Sequence, residues 1–426
     1  MRNFRTSVSV SRRLAVALAA TSMVGACKLD VTNPNAATQT GVLSTAAGLR
    51  AVAIGMQGRL GNAVEEGIYV PGIISGELGN TNATQSTTRE FQRFPTLSAN
   101  SQIEETNVDL LDIWVKHYGV VRSANDILDN IDNVSLAPGT SAGMLALAKL
   151  HKAIAFGTLI EAFEKIPIEN VASPQFSDRA TVLTEVLALL AGAKADATGT
   201  PLSTEFTSQI LAPGFDLLNT IRAMQARYAL AAGQYQAALD FANEVPTTAT
   251  SVVTYTTLDK NPLRDLFHLS KFFGALLSFR TGAEAGDTRV AKYTTATALN
   301  AFGGASLVET NIYLTDAEPI PLFTQDELSL IRAEAYARTN RLAEAIAQIN
   351  IVRSRAGLSS KTAADLPTQA AVLDEIYRQR TYSLFALGLH WADERRFGRI
   401  SEAKVNYLPY PFTERATNPN TPANPG

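Results

Sequence analysis

The sequence predicts a mainly α-helical, secreted protein in which antiparallel helix pairs are interrupted by loop-rich regions with short β segments. Three observations predict this fold class. Apolar residues recur with helical spacing along most of the chain from residue 46 onward. The segments 217–246 and 327–357 each have the pattern of a helix, a tight turn and a second helix. The amino-terminal segment has the composition of an export signal.

Residues 1–26 are predicted to be a signal peptide of the lipoprotein type. Four arginines and no acidic residue precede an apolar run from Leu14 to Ala26. A helix needs about 20 residues to cross the hydrocarbon core of a membrane, so this run is too short for a transmembrane span. It has the length of the apolar region of a cleaved signal. Arg12-Arg13 weakly resembles a twin-arginine signal, which leaves the export route open.

Cys27 is the single cysteine of the chain and follows the apolar run directly. The stretch Val24-Gly25-Ala26-Cys27 resembles a bacterial lipobox, in which the cysteine becomes the first mature residue and carries a diacylglyceryl group. Val24 stands where leucine is most usual, and a simple signal peptide with a chance cysteine is the alternative. Acyl chains contribute about 0.8 kcal/mol per buried CH₂ to membrane binding. We therefore expect Cys27 to be lipidated, with residues 27–45 as a polar tether.

The charge of the mature chain restricts its partners. Without residues 1–26 the chain carries 33 basic and 40 acidic residues, a net charge of −7. A mildly acidic surface argues against nucleic acid and anionic lipid as binding partners. One cysteine allows no disulfide within the chain, so a hydrophobic core must supply the stability. The hydrophobic content of 46% is sufficient for a large core. After the signal, no segment is expected to approach transmembrane length.

Residues 46–417 are predicted to form one helical domain. In addition to the two helix pairs, long helices are predicted over 108–132, 144–167, 180–197 and 369–388. Residues 418–426 are rich in Asn and Pro and are predicted to be a disordered tail.

The two helix pairs share a pattern of small residues. Ala226 and Ala238 occupy the two helices of the first pair, and Ala333 and Ala345 occupy those of the second. Small residues at these positions allow antiparallel helices to approach closely. The pattern resembles the tetratricopeptide repeat, whose period is about 34 residues, and predicts a solenoid scaffold. The pairs are not a multiple of that period apart, so an insertion must separate them.

Two regions, 71–102 and 250–318, are predicted to be loop-rich. The first is rich in Gly, Asn and Thr and is too long for an ordinary connection, which makes it a candidate functional loop. The second alternates β-like runs with loops, and its one helix signal lies at 269–279. Aromatic faces can stack on apolar ligand surfaces, and amide or guanidinium groups can hydrogen-bond hydroxyls. The candidate ligand-binding residues are Phe91, Gln92, Arg93, Phe94, Phe302 and Tyr313. Each aromatic is equally open to interpretation as a small core that holds its loop.

The sequence has no recognised catalytic motif. It lacks a GxSxG elbow, a Walker loop and a GxGxxG turn. Its four histidines are His117, His151, His268 and His390. They are not spaced as the ligands of a metal ion would be. His117 is expected to be partly exposed on its helix.

Paired acids do not change this interpretation. A glycosidase needs two carboxylates about 5–10 Å apart across a cleft. Glu65-Glu66 and Glu104-Glu105 are neighbours in sequence, and adjacent side chains on a helix point apart. We therefore expect a binding protein without enzymatic activity, a metal site or a cofactor.

The last third of the chain resembles a known family. Pro319-Ile320-Pro321 is followed by Ala333-Glu334-Ala335 and by the stretch Asn350-Ile351-Val352-Arg353-Ser354-Arg355-Ala356-Gly357. This order resembles a signature of the SusD/RagB outer-membrane lipoproteins. Asp287-Thr288-Arg289 resembles the Asp-x-Arg that precedes the signature in the family.

A second family pattern falls at residues 379–398. The positions that agree with it are Arg380, Leu384, Gly388, Trp391, Asp393, Arg395 and Arg396. Three family glutamates are replaced by Gln379, Ser383 and Leu387, and an arginine by His390. These departures put in doubt any buried ion pair that the family makes there and indicate a divergent member.

The resemblance also reaches the amino-terminal half, through the opening at residues 27–35 and the helix that contains Trp114 and Tyr118. It implies a SusD-like fold and a lipid-anchored protein of the outer membrane, most naturally at the cell surface. Such a protein works with a TonB-dependent, SusC-like receptor and delivers a bound glycan or other oligomeric nutrient to it. The ligand residues of the family lie on variable loops, so the resemblance identifies regions and no individual residue. A helical-repeat scaffold for envelope assembly and a helical surface glycosidase remain the alternatives.

Overall fold

The computed structural model describes residues 39–92, 103–400 and 405–425. The chain divides into a unit of residues 1–42 and a unit of residues 43–426. Of the first unit only residues 39–42 are described, and they belong to a short helix.

Several sequence predictions concern residues outside the described ranges. These are the signal peptide, lipidation at Cys27, most of the tether, and the candidate ligand residues Arg93 and Phe94. They stay predictions.

The described chain is mainly helical, which confirms the predicted fold class. Its helices are α1 Gln39–Leu43, α2 Ala46–Ile74, α3 Ser86–Arg89, α4 Val108–Asn130, α5 Pro138–Ala162, α6 Arg179–Gly199, α7 Leu217–Ala231, α8 Tyr235–Asn243, α9 Pro262–Arg264, α10 Leu277–Thr281, α11 Thr288–Tyr293, α12 Gln325–Arg338, α13 Leu342–Arg355, α14 Gln369–Ser383, α15 His390–Arg396 and α16 Phe412–Thr417. Its strands are β1 Leu78–Asn80, β2 Lys165–Pro167, β3 Phe176–Asp178, β4 Ser251–Val253, β5 Phe273–Leu276, β6 Thr294–Leu299, β7 Leu307–Thr310 and β8 Ile320–Phe323.

The helix pairs form as predicted, α7 with α8 and α12 with α13. Ala226 and Ala238 are fully buried, and so are Ala333 and Ala345, because the small side chains let the paired helices approach. A second cluster of buried apolar residues joins α12, α13 and α14. The assignment of these pairs to a tetratricopeptide-like solenoid stays a prediction.

Among the described residues, one helix is long and apolar enough to cross a membrane by length and composition. This is α5, and 78% of its most apolar stretch is buried inside the protein. The expectation that no segment after the signal reaches such length was therefore wrong. A helix that is apolar on all sides must be covered on all sides. Here α4 and α6 pack along α5, which makes it the central helix of the core.

Four short strands form an antiparallel sheet in the order β1-β5-β7-β6. Leu78 of β1 pairs with Ala275 of β5, so the sheet joins the two regions that were predicted to be loop-rich. Region 71–102 proves less open than predicted, since α2 continues to Ile74 and β1 is buried. The glycines there serve close packing: a Cβ at Gly79 would lie 2.7 Å from the Leu307 side chain.

Three other expectations were wrong in detail. The helix predicted over 144–167 ends at Ala162, and β2 follows. The helix predicted over 269–279 is replaced by β5 and α10, because β5 pairs with β1 and β7 and this pairing overrides the local helical preference.

The third concerns residues 418–425, which are not a disordered tail. The Asn424 side chain accepts a hydrogen bond from the Tyr410 amide over 3.0 Å and donates one to Glu105 over 2.6 Å. Asn420 donates to the Ser173 carbonyl over 2.9 Å. Asparagines that the composition marks as loop-forming thus attach the segment to the body of the protein.

Candidate ligand-binding surface

The loop-rich regions meet at the end of the four-stranded sheet. Residues just beyond β1 and β6 form an isolated bridge, Thr81 with Ala301. The Asn82 amide donates to the Asn300 carbonyl over 2.9 Å. The two outer strands of the sheet are therefore tied together at this end. We call the surface formed by Asn82, Arg89, Asn300 and Phe302 the junction surface.

The junction surface combines an aromatic ring with amide and guanidinium groups. The Arg89 guanidinium carbon lies 4.0 Å from the centre of the Phe302 ring. Arg89 also donates to the Asn82 carbonyl over 3.1 Å, and the Asn82 side chain donates to that of Asn300 over 3.0 Å. Asn82 and Asn300 are exposed, whereas Phe302 is half-buried. The surface can therefore offer an apolar face with hydrogen-bonding groups beside it.

The chain turns sharply after Phe302. Gly303 and Gly304 have φ values of 65° and 81°, a region of backbone conformation that favours glycine. The two glycines are exposed. They allow the segment to present Phe302 without a second bulky side chain beside it.

Two of the predicted ligand residues lie beneath this surface. Phe91 is fully buried. The Gln92 side-chain oxygen Oε1 accepts from the Asn80 backbone amide over 2.8 Å and from the Asn80 side chain over 2.7 Å. The structure thus corrects the prediction for both residues: they support the end of β1 and do not face a ligand.

Tyr313 is likewise a core residue, with 4% of its surface exposed. Its hydroxyl donates to the Ala386 carbonyl over 3.3 Å, and its ring stacks on Phe267. Burial raises the pKa of Tyr313 well above its ordinary value. Of the predicted candidates within the described residues, Phe302 alone belongs to the junction surface.

Sequence reasoning missed Asn82, Arg89 and Asn300. Asn82 lies in the Asn- and Thr-rich stretch that was singled out, and Asn300 stands two residues before Phe302. Those were the available signals. The pairing between the two regions, which brings the residues together, has no signal in either region alone.

Several titratable groups that were considered for catalysis are buried or paired within the protein. His117 is 2% exposed, so the expectation of partial exposure was wrong. Burial lowers the pKa of His117 to about 4, and its Nδ1 lies 2.8 Å from the Ile113 carbonyl of the same helix. Burial raises the pKa of Glu66 to about 7, and both Glu65 and Glu66 form ion pairs with Lys116. No group of three metal-ligating side chains occurs within the described ranges.

An interior cavity of about 140 Å³ lies between α2, α5, α7 and the carboxy-terminal segment. Its lining contains charged residues that already pair with one another across short distances. Arg227 lies 2.6 Å from Glu327, and Arg380 lies 2.7 Å from Asp393. Within 379–398 a buried ion pair therefore joins Arg380 and Asp393, two positions that agree with the family pattern. We assign this cavity to the core and not to a ligand.

The fold is a helical scaffold that carries a polar and aromatic surface on its loop-rich regions. The search of curated proteins found no significant sequence match. The model of the SusD family matches residues 315–426. This range contains both segments, 319–357 and 379–398, whose residues resemble the SusD/RagB family, and the match confirms the resemblance there.

Solved structures share the fold over nearly the whole chain. A SusD superfamily protein from Bacteroides thetaiotaomicron superposes with a TM-score of 0.69 at 15% identity, covering 89% of this chain and 99% of its own. A putative sugar binding protein from Bacteroides vulgatus gives a TM-score of 0.67 at 20% identity, covering 89% and 98%. A SusD-like carbohydrate binding protein from Bacteroides vulgatus gives 0.63 at 17% identity, covering 81% and 82%. At these identities the likeness shows the SusD-like fold.

Proposed function

We propose that this protein binds an oligosaccharide nutrient at the junction surface and delivers it to a TonB-dependent outer-membrane receptor. The observation that carries the proposal is the convergence of Asn82, Arg89, Asn300 and Phe302 at one end of the sheet. The match of residues 315–426 to the SusD family supports it. So do the structural neighbours described as sugar binding and carbohydrate binding proteins.

The chemistry of the surface suits a sugar. A pyranose ring presents a face of C–H groups, and an aromatic side chain can pack against it, while hydroxyls at the ring edge bind amides and guanidinium groups. Phe302 supplies the aromatic contact, and Asn82 and Asn300 supply amide donors and acceptors beside it. The four residues of the surface come from two loop-rich regions, which suits an extended oligomer better than a single small molecule.

The proposed location follows from the amino terminus. Lipidated Cys27 would hold the protein at the outer membrane beside its receptor, with residues 27–45 as the tether. The receptor would supply the energy for import. The protein itself would then need only to bind and release the ligand.

A binding experiment with two phenylalanine variants tests the site. The purified protein in a mild detergent is screened against an array of neutral oligosaccharides, and the affinity for each hit is measured by calorimetry. Phe302→Ala should weaken binding by about 10-fold or more, the loss expected for one aromatic contact. Phe412→Ala is the matched control, because Phe412 is 55% exposed and lies in α16, which contributes no residue to the junction surface.

Equal affinities of wild type and Phe302→Ala for every hit would refute the junction surface as the binding site. The same incubations, assayed for new reducing ends, separate binding from glycosidase activity. Copurification from mild detergent with a large β-barrel receptor tests the delivery step. Recovery of the protein alone after gentle crosslinking would count against it.

A further inference from the structure

A polar cleft of about 300 Å³ lies where α11, the start of α12 and the ends of α13 and α14 converge. Its charged lining residues are Arg289, Lys292, Asp326 and Arg355. Neither the junction surface nor the interior cavity includes any of them. We call it the cationic cleft.

Arg289 lines the cleft and is held in place by hydrogen bonds to neighbouring side chains. It is buried, and its Nε and Nη2 atoms donate to the two Asp287 oxygens over 2.9 and 2.7 Å. Its Nη1 donates to the Ser383 hydroxyl over 2.8 Å, and that hydroxyl donates to Asp326 over 3.0 Å. The charges of Arg289 and Asp287 therefore cancel within the protein.

Lys292 and Arg355 have donors that are not used in this way. Lys292 is exposed and forms no ion pair with any residue of the described ranges; its ammonium lies 4.8 Å from the centre of the Tyr293 ring. Arg355 donates from Nη1 to Asp326 over 2.8 Å. Within the described structure its Nε and Nη2 donate to no protein group, so both remain for a ligand.

The charged residues that line the cleft, together with Asp287, carry a net charge of one positive unit. Arg289 is balanced by Asp287 and Arg355 by Asp326, which leaves Lys292 unbalanced. A singly charged carboxylate matches this excess, whereas a phosphate dianion would leave one negative charge without a partner. The volume and the neighbouring Tyr293 and Thr288 suit a ligand of monosaccharide size with hydroxyl groups.

We propose that the cationic cleft binds a sugar acid, with the carboxylate between Lys292 and Arg355 and the ring beside Tyr293. This site is separate from the junction surface, and the proposal does not rest on the proposed function. It assigns to the cationic cleft a ligand class of its own, a uronic-acid unit.

Chemical modification locates the site in the unaltered protein. The purified protein is acetylated with an amine-reactive ester in the presence of galacturonate, galactose or galactose 6-phosphate, and each lysine is quantified by mass spectrometry. Galacturonate should slow acetylation of Lys292 by about fivefold, a change in the range of one partly exposed charge pair. Galactose should not slow it, and galactose 6-phosphate should act more weakly. Lys260, which is exposed outside the cleft, is the internal control.

Affinity measurements on variants complete the test. Lys292→Met should abolish the preference for galacturonate over galactose, Lys292→Arg should retain it, and Lys260→Met should leave it unchanged. Phe302→Ala should also leave it unchanged, which separates this proposal from the proposed function. The proposal is overturned if galactose protects Lys292 as well as galacturonate does, or if galactose 6-phosphate protects it better. It is also overturned if galacturonate gives no protection at 10 mM (roughly the weakest affinity worth assigning), or if Lys292→Met keeps the preference for galacturonate.

Discussion

The side-chain amide of Asn82 donates to that of Asn300 over 3.0 Å, although 218 residues separate the two in the chain. The contact lies where the outer strands of the sheet are tied together. A change in either region therefore alters the surface that both regions form. Each test of binding should therefore be accompanied by a measurement of stability. Several residues of the helical scaffold give specific predictions for stability.

Gly157 is a position where the central helix α5 allows no side chain. A Cβ there would lie 2.1 Å from the Tyr228 hydroxyl of α7. Gly157→Ala should therefore lower the free energy of unfolding by about 1–3 kcal/mol or more, as overpacked cores do. Gly55→Ala is the control, because Gly55 lies on the exposed face of α2 with no atom within 4 Å of a built Cβ. It should stabilise the protein by about 0.5–1 kcal/mol. Urea unfolding followed by circular dichroism measures both, and a Gly157→Ala variant as stable as Gly55→Ala would contradict the packing described.

Arg353 is a fully buried cation between two carboxylates. It lies 2.7 Å from Glu284 and 2.6 Å from Glu375. Arg353→Met should cost about 3–5 kcal/mol in the free energy of unfolding, because it leaves Glu375 buried without a counter-charge. Adding Glu375→Gln to Arg353→Met should restore part of that loss. Arg341→Met, which removes an exposed partner of Glu344, should change little. A double variant no more stable than Arg353→Met would argue against this explanation.

Local patterns in the sequence were sufficient to predict the scaffold. The spacing of Ala226, Ala238, Ala333 and Ala345 predicts which helix faces meet, since each pair lies close in sequence. The sheet could not be predicted in this way. The register of Leu78 with Ala275 joins strands that are distant in the chain, and neither strand is long enough to show alternation.

Composition also misled where one residue type serves two purposes. Gly79 lies in region 71–102, which was interpreted as a candidate functional loop, but its lack of a side chain lets Leu307 pack against β1. Phe91 and Tyr313 were candidate ligand contacts with a small core that holds the loop as the alternative, and their burial supports the alternative. An aromatic in a loop-rich segment can anchor the loop or face a ligand, and only the tertiary contacts distinguish the two.

Cys27 provides the test of the proposed membrane anchor. Cys27→Ala should abolish labelling with a clickable fatty acid and release the protein from the outer-membrane fraction, because no other thiol is present to carry the lipid. Ser22→Ala, within the same apolar run, should leave both the labelling and the fractionation unchanged. A Cys27→Ala variant that still pellets with the outer membrane would show that something other than a lipid holds it there.

Glu77 should give the protein a measurable dependence of stability on pH. Burial raises the pKa of Glu77 to about 8, and the nearby Ala386 amide offsets this only in part. The folded state thus holds the proton more tightly than the unfolded state, where the pKa is near 4.5. The free energy of unfolding should therefore fall as pH rises through 8. Glu66, with a pKa raised to about 7, acts in the same direction.

The buried histidines act in the opposite direction, but at lower pH. Burial lowers the pKa of His117 and of His151 to about 4, so their effect is complete above about pH 6.5. Unfolding should therefore be measured between about pH 6.5 and 8.5. Glu77→Gln cannot ionise, so its stability should fall less steeply over this range and should exceed that of wild type at the upper end. Glu344→Gln, at an exposed site where the pKa is already lowered, should keep the wild-type slope. Equal slopes for wild type and Glu77→Gln would mean that the Glu77 carboxyl is already charged in the folded protein.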